Sequence, residues 1–264
     1  MNDRDPRTHS VDVVKLDGPS EQRTGDLVAA EDPLEIRLGE TALAVVMRTP
    51  GDDDDLVRGF LLTEGILLRP TEIARIDRID ESRVSVVLAD GVEVDATRFQ
   101  RNLFMSSSCG VCGKASIEAV QLFARPAPAF TVPRTVVAGL TGRLRDAQPT
   151  FDATGGLHAA GIYDLAGNAL AVREDVGRHN AVDKAIGAVS VRTWPLPASL
   201  LAVSGRQSFE IVQKAAVAGI GGVIGVSAPS SLAVELAQTQ GMLLAGFARG
   251  ERLNVYAGAE RLTA

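Results

Sequence analysis

The spacing of apolar positions changes period several times along the chain. "LEIRLGETALAVVMRTP" (34–50) alternates apolar and polar side chains, which predicts two strands with a turn at "LGE". In "GDDDDLVRGFLLTEGIL" (51–67) the period becomes helical, with Leu56, Val57, Phe60 and Leu61 on one face. The aspartates Asp52 to Asp55 crowd the start of that helix. They read as caps for free N–H groups on a solvated face, with a metal site as the other reading. Gly65 marks the C-cap, and "IARIDRIDESRVSVVLADGVEVDA" returns to strands. After the Pro-rich "ARPAPAFTVPRT" the helical period returns through Val136, Val137, Leu140 and Leu144. "GIYDLAGNALAVRED" reads as a hairpin turning at "LAGN", and "HNAVDKAIGAV" as a helix with Ala181, Val182, Ala185 and Ile186 inward. Strands "SLLAVSG", "GVIGVSA", "MLLAGFA" and "LNVYAG" then alternate with helices "SFEIVQKAAVAG" and "SSLAVELAQTQ".

This alternation predicts an α/β layered sheet, largely parallel, behind a smaller α+β unit. The expected division is a disordered tail at 1–10, an amino-terminal α+β domain at 11–104, a cysteine loop and linker at 105–133, and an α/β domain at 134–264.

Hydrophobic residues make up 45% of the 264 positions, enough for a sizeable core, and aromatics only 4%, so that core is built of Ala, Val, Leu and Ile. The net charge of -6 argues against non-specific nucleic-acid binding and leaves room for a local basic pocket. The opening "MNDRDPRTHS" does not resemble a secretory signal, and no run reaches the roughly 18 apolar residues of a membrane span. A cytoplasmic protein is expected. In that compartment a cysteine pair points to redox, sulfur or metal chemistry before a structural disulfide.

Both cysteines, Cys109 and Cys112, lie in "MSSSCGVCGKAS" (105–116). Two thiols at this spacing can hold half of a zinc tetrahedron, cycle as a dithiol, or accept and pass on sulfur as a persulfide. Zinc would need His158 and His179 as further ligands, since no other cysteine exists. The Gly and Ser flanks lack the aromatic and Pro of a rigid redox helix and suit a thiol that travels between partners. Lys114 would lower a neighbouring thiol pKa and favour thiolate.

Other candidates cluster at turns. Gly155 and Gly156 precede His158 in "TGGLHAAG", where His158 is a base, a ligand or a satisfied core residue. "REDVGRHNAVDKAIG" packs Arg173, Glu174, Asp175, Arg178, His179, Asn180, Asp183 and Lys184 around a strand-to-helix turn. It is either a ligand rim or an exposed, self-paired turn. Gly205, Arg206 and Ser208 follow one strand, Ser227, Ser230 and Ser231 another, and Arg249, Gly250 and Arg252 a third. Such ends either bind phosphate or cap ordinary helices, and together they sketch a crevice for a polyphosphate ligand.

These stretches, with "RGFLLTEGI", "VSGRQSFEIVQKAAVAGI" and "GFARGERLNVY", occur in an order that resembles the FdhD family of accessory sulfurtransferases required for active formate dehydrogenase. The resemblance runs from about Arg58 to Tyr256. It implies a homodimer with a cytidine-deaminase-like α/β carboxy-terminal domain. It implies a protein that accepts persulfide sulfur from a cysteine desulfurase and transfers it to the molybdenum cofactor, in its bis(molybdopterin guanine dinucleotide) form, with a guanine nucleotide as surrogate ligand. The persulfide position corresponds to Cys109, with Cys112 and Lys114 assisting. A cofactor-binding segment corresponds to Phe247, Ala248, Arg249, Gly250, Glu251 and Arg252. Gly205, Arg206, Ser208, His158 and His179 complete the expected cofactor site, and no resident metal is expected.

Two rival functions remain. A zinc deaminase would need a general-acid Glu two residues after His158, where Ala160 stands, and a Pro before Cys109, where Ser108 stands. A cofactor-binding chaperone without sulfur chemistry would use the cysteines only to sense oxidation.

Overall fold

A computed structural model describes residues 5–94 and 125–264. Cys109, Cys112 and Lys114 lie outside the described residues.

The amino-terminal unit opens with a two-stranded hairpin, β1 (Thr8–Asp17) and β2 (Ser20–Ala29). Thr8 to Ser10, expected in the tail, are the first residues of β1. A four-stranded sheet follows in the order β4-β3-β6-β5, from β3 (Asp32–Leu38), β4 (Thr41–Arg48), β5 (Ile73–Asp80) and β6 (Arg83–Leu88). Its buried positions Leu34, Ile36, Val84 and Val86 pack against Leu56, Val57, Phe60 and Leu61 of helix α1 (Asp53–Thr63), the face predicted from the 3.6-residue period. The aspartates do not cap α1. The N-cap Asp52 has φ +54° and no side-chain cap bond. Asp53 is buried and bonds Arg48 (2.9 Å) and Arg78 (2.6 Å), while Asp55 pairs with Arg173 (2.8 Å) of the larger unit. Gly65, at φ +70°, does close the helix.

The larger unit holds a six-stranded sheet in the order β13-β12-β11-β10-β8-β9. It is built from β8 (His158–Tyr163), β9 (Ala169–Asp175), β10 (Leu200–Val203), β11 (Gly222–Gly225), β12 (Leu243–Arg249) and β13 (Arg252–Ala257). Only the pairings β10–β11 and β11–β12 are parallel; the other three are antiparallel, so the sheet is mixed and not largely parallel. The reason is that β8 and β9 form a hairpin whose turn leaves β8 running against β10. Helix α2 (Arg134–Asp146) covers one face through Val137, Leu140 and Leu144, and short α3 (Pro149–Thr154) follows it. Helices α4 (Arg178–Ser190), α5 (Phe209–Ala218) and α6 (Ser231–Thr239) cover the other face, with Ala181, Val182, Ala185 and Ile186 of α4 buried as expected. Short strands β7 (Val132–Pro133) and β14 (Leu262–Thr263) pair with each other.

The two units meet at a crossing of α1 and α4 made possible by two glycines. A Cβ on Gly59 would lie 1.9 Å from the Asp183 carbonyl oxygen, and one on Gly187 1.9 Å from that of Asp55. Buried charges surround this crossing. The Lys214 ammonium donates to Asp183 (2.9 Å), Thr63 (2.9 Å) and Glu64 (2.7 Å), and the Thr63 hydroxyl donates to Asp183 (2.7 Å). Burial opposes the charge on Lys214, but the carboxylates of Asp183 and Glu64 outweigh it and raise the lysine above its ordinary range. Lys184 donates to Asp175 and to the Thr49 carbonyl, both at 2.8 Å. Thr49 in turn donates its amide to Asp175 (3.1 Å).

Two stability outcomes follow from this interface. Gly59→Ala should destabilise the fold by about 1–3 kcal/mol through forced separation of the helices, although helix propensity alone would favour alanine by about 1 kcal/mol. Chemical denaturation decides the sign, and a stabilised variant contradicts the crossing. Lys214→Met strands a buried carboxylate and should cost about 3–5 kcal/mol in the same measurement; a cost near zero would mean that Lys214 is not buried against Asp183.

Candidate cofactor-binding crevice

One edge of the six-stranded sheet gathers the chemistry. The register puts Asp175 opposite His158, Val203 opposite Ala160, and Arg249 opposite Arg252. The carboxyl ends of β9, β10, β11 and β12 therefore lie beside the amino end of β8. Because α4, α5 and α6 each follow one of these strands directly, their amino termini point to the same edge, the arrangement in which α/β sheets bind ligands.

A cavity of about 710 Å3 opens there between α2, α3 and the sheet edge. Its lining includes Gly155, Gly156, His158, Ala248, Arg249 and Gly250, all singled out from sequence, and Ser204, Val226, Arg145, Gln148 and Phe151, which were not. The volume lies within the range of small-molecule and cofactor pockets. Thr141 ties the far wall to β12 by donating its hydroxyl to the Ala248 carbonyl (3.0 Å).

His158 stands between the cavity and the helix termini. Gly205 packs beside its ring: a Cβ there would meet His158 Nδ1 at 3.4 Å and Arg178 Cβ at 3.8 Å, ordinary contact distances. Burial, and next the Arg178 guanidinium, push the imidazole pKa below its ordinary value; His179 and Arg206 add to this and Asp175 opposes it. His158 is therefore neutral at pH 7 and has a ring nitrogen free to accept.

His179 lies in the first turn of α4 with Nε2 3.6 Å from Glu210 Oε2. That separation is too long for a full hydrogen bond. The His179 Nε2, the Arg178 Nε and the Ser208 hydroxyl are buried with no hydrogen-bond partner. The neighbouring His179 above all pulls the Glu210 carboxyl down to about 2 despite burial. Arg206 is exposed beside this group.

The segment 247–252 forms the outer rim. Phe247 is 49% exposed and holds φ +52°, a left-handed conformation that is rare for a bulky residue. An irregularity in the β12–β13 register between Gly246 and Arg249 accompanies it. Ala248 is buried inward, whereas Arg249, Gly250, Glu251 and Arg252 are exposed.

The charged turn "REDVGRHNAVDKAIG" divides in a way that neither sequence reading foresaw. Arg173, Asp175, Asn180, Asp183 and Lys184 bind the amino-terminal unit, and Glu174 accepts from the Thr150 (3.0 Å) and Phe151 (2.7 Å) amides of α3. Only Arg178 and His179 remain for the crevice. Ser230 is an ordinary cap, accepting from the Ala233 amide (3.3 Å). Nothing in the sequence around "RDAQPTF" marked Arg145, Gln148 and Phe151, because no periodicity or motif signals the wall of a pocket.

Beyond 124 the chain is pinned at the opposite end of the helices. The Arg125 amide donates to Ala216 (3.4 Å), near the end of α5, and the Ala127 amide to Gln240 (2.8 Å), just past α6.

Residues 29–263 match the family model described as FdhD/NarQ family. The chain is 47% identical to the sulfur carrier protein FdhD of Streptomyces coelicolor, over 95% of this chain and 94% of that one. It is 48% identical to the sulfur carrier protein FdhD of Anaeromyxobacter dehalogenans, over 90% and 88% of the two chains. A crystal structure described as a formate dehydrogenase accessory protein from Desulfotalea psychrophila superposes with TM-score 0.80 at 26% identity, covering 98% of this chain and 100% of that one. With the strand-end crevice and the cysteine pair, these likenesses lead to one conclusion: the chain belongs to the FdhD/NarQ family.

Proposed function

We propose that this protein is a sulfur carrier for formate dehydrogenase. In this reading Cys109 takes persulfide sulfur from a cysteine desulfurase and passes it to the molybdenum cofactor, bis(molybdopterin guanine dinucleotide), held in the crevice. The observation that carries it is the shared cavity of His158, Arg249 and Gly250, set at the edge where three helix amino termini converge. The names of the relatives point to sulfur carriage and to formate dehydrogenase. The reading takes the six-stranded unit as cytidine-deaminase-like and the protein as a cytoplasmic homodimer, both from family resemblance. No helix among the described residues is long and apolar enough to cross a membrane.

In the loading step the Cys109 thiolate attacks the outer sulfur of the desulfurase persulfide. A new S–S bond forms on Cys109, the old one breaks, and the desulfurase leaves as thiolate, so no external oxidant is needed. Lys114 stabilises anionic sulfur, and Cys112 shares or protects the load; on delivery its thiolate attacks Cys109 Sγ, a Cys109–Cys112 disulfide forms, and the outer sulfur leaves at the sulfide level for the acceptor. The cofactor is the acceptor substrate. Its pyrophosphate oxygens suit the Arg249 fork, the Gly250 amide and the Ser204 hydroxyl, and neutral His158 accepts a proton or hydrogen bond beside them. Sixteen Cα-to-Cα steps separate Cys109 from Arg125. Extended, they span at most about 55 Å, well beyond the roughly 20 Å length of the 13-residue helix α4. Chain length thus allows a thiol anchored at the far end of the helices to reach the crevice.

Cys109→Ala should abolish activation of formate dehydrogenase while GDP still binds; full activation by this variant would favour the chaperone reading instead. Arg249→Ala should weaken GDP about tenfold in calorimetry, the loss of one charge-assisted contact. Unchanged affinity would remove Arg249 from the phosphate site.

A further inference from the structure

Gln148 occupies the N-cap position of α3, yet its side chain caps nothing. An N-cap side chain ordinarily accepts from the second or third amide of its helix. Here those two amides, of Thr150 and Phe151, are both taken by Glu174. The Gln148 carboxamide is thereby released. The residue is only 3% exposed, lines the cavity, and its side chain makes no hydrogen bond. Beside it stands Phe151, with the Arg145 guanidinium 4.9 Å from its ring centroid, and Leu144 and Leu157 complete an apolar wall. Arg249 and Gly250 line the same cavity. An apolar wall with one donor–acceptor pair suits a planar heterocycle that offers an acceptor next to an N–H.

We propose that Gln148 reads the 2-amino-4-oxopyrimidine edge of the bound substrate. The amide oxygen accepts from the ring N–H, the amide N–H donates to the adjacent carbonyl, and the stacked pair of Phe151 and Arg145 borders the ring on one side. Guanine and pterin share this edge, and the assignment rests on the crevice being the cofactor site.

The test is calorimetry on the full chain with GDP, 6-hydroxymethylpterin and pyrophosphate, for wild type and Gln148→Leu. The leucine fills the same space without the polar atoms. Gln148→Leu should weaken GDP, the pterin, or both by tenfold or more and leave pyrophosphate within twofold; which of the two weakens identifies the ring bound. The same variant should melt at least as high as wild type without ligand, since no hydrogen bond of the empty protein is lost. A structural role for Gln148 would instead lower the melting temperature. Wild-type binding with equal affinity in Gln148→Leu overturns this inference and leaves the crevice standing. A wild type that binds none of the three probes overturns the crevice reading as well.

Discussion

Helices α1 and α4 touch backbone to backbone, and the position of the crevice depends on that contact. Gly59 and Gly187 let the Asp183 and Asp55 carbonyls approach where any side chain would collide. The close approach excludes water, so the charges around it must find partners across the interface. Asp183 is shared with Thr63 and Lys214, and Asp175 with Lys184 and Thr49. Asp175 ends β9, and its carboxylate also accepts from the Gly177 amide (2.8 Å) at the start of α4. The amino-terminal unit therefore fixes the strand-to-helix turn that carries Arg178 and His179 at the edge of the sheet where the cavity opens. Breaking a buried pair of this kind costs far more than making one gains, which gives the interface register as well as strength.

Much of this fold was legible in the sequence, because its long elements carry clean periods. The buried faces of α1 and α4 and the order of strands and helices after 134 followed from the spacing of Leu, Val, Ile and Ala. The hairpin of β1 and β2 was not legible: its apolar residues fall on both faces, Val14, Leu16, Leu27 and Val28 stay exposed, and the strands lack the clean alternation that a half-buried strand shows. Strand direction was also hidden, since an apolar run reads alike in parallel and antiparallel pairing.

The site was legible in part, for a similar reason. His158, Gly205, Arg249 and Gly250 sit at strand ends, where residue type and position both point to ligand binding. Charge alone misled. Asp53 looked like a solvated cap and is a buried anchor for Arg48, and most charges of the 173–187 stretch hold the two units together. Gln148 carried no signal because its meaning lies in a bond made elsewhere, that of Glu174 to α3.

A crevice that binds a cofactor serves equally well in a chaperone; what distinguishes a carrier is sulfur held covalently by the chain itself. The direct measurement is the intact mass of the purified protein after incubation with a cysteine desulfurase and cysteine. The account predicts a gain of about 32 Da, reversed by thiol reductant and mapped to Cys109 by peptide fragmentation. An unmodified Cys109 under conditions where the desulfurase turns over would contradict it.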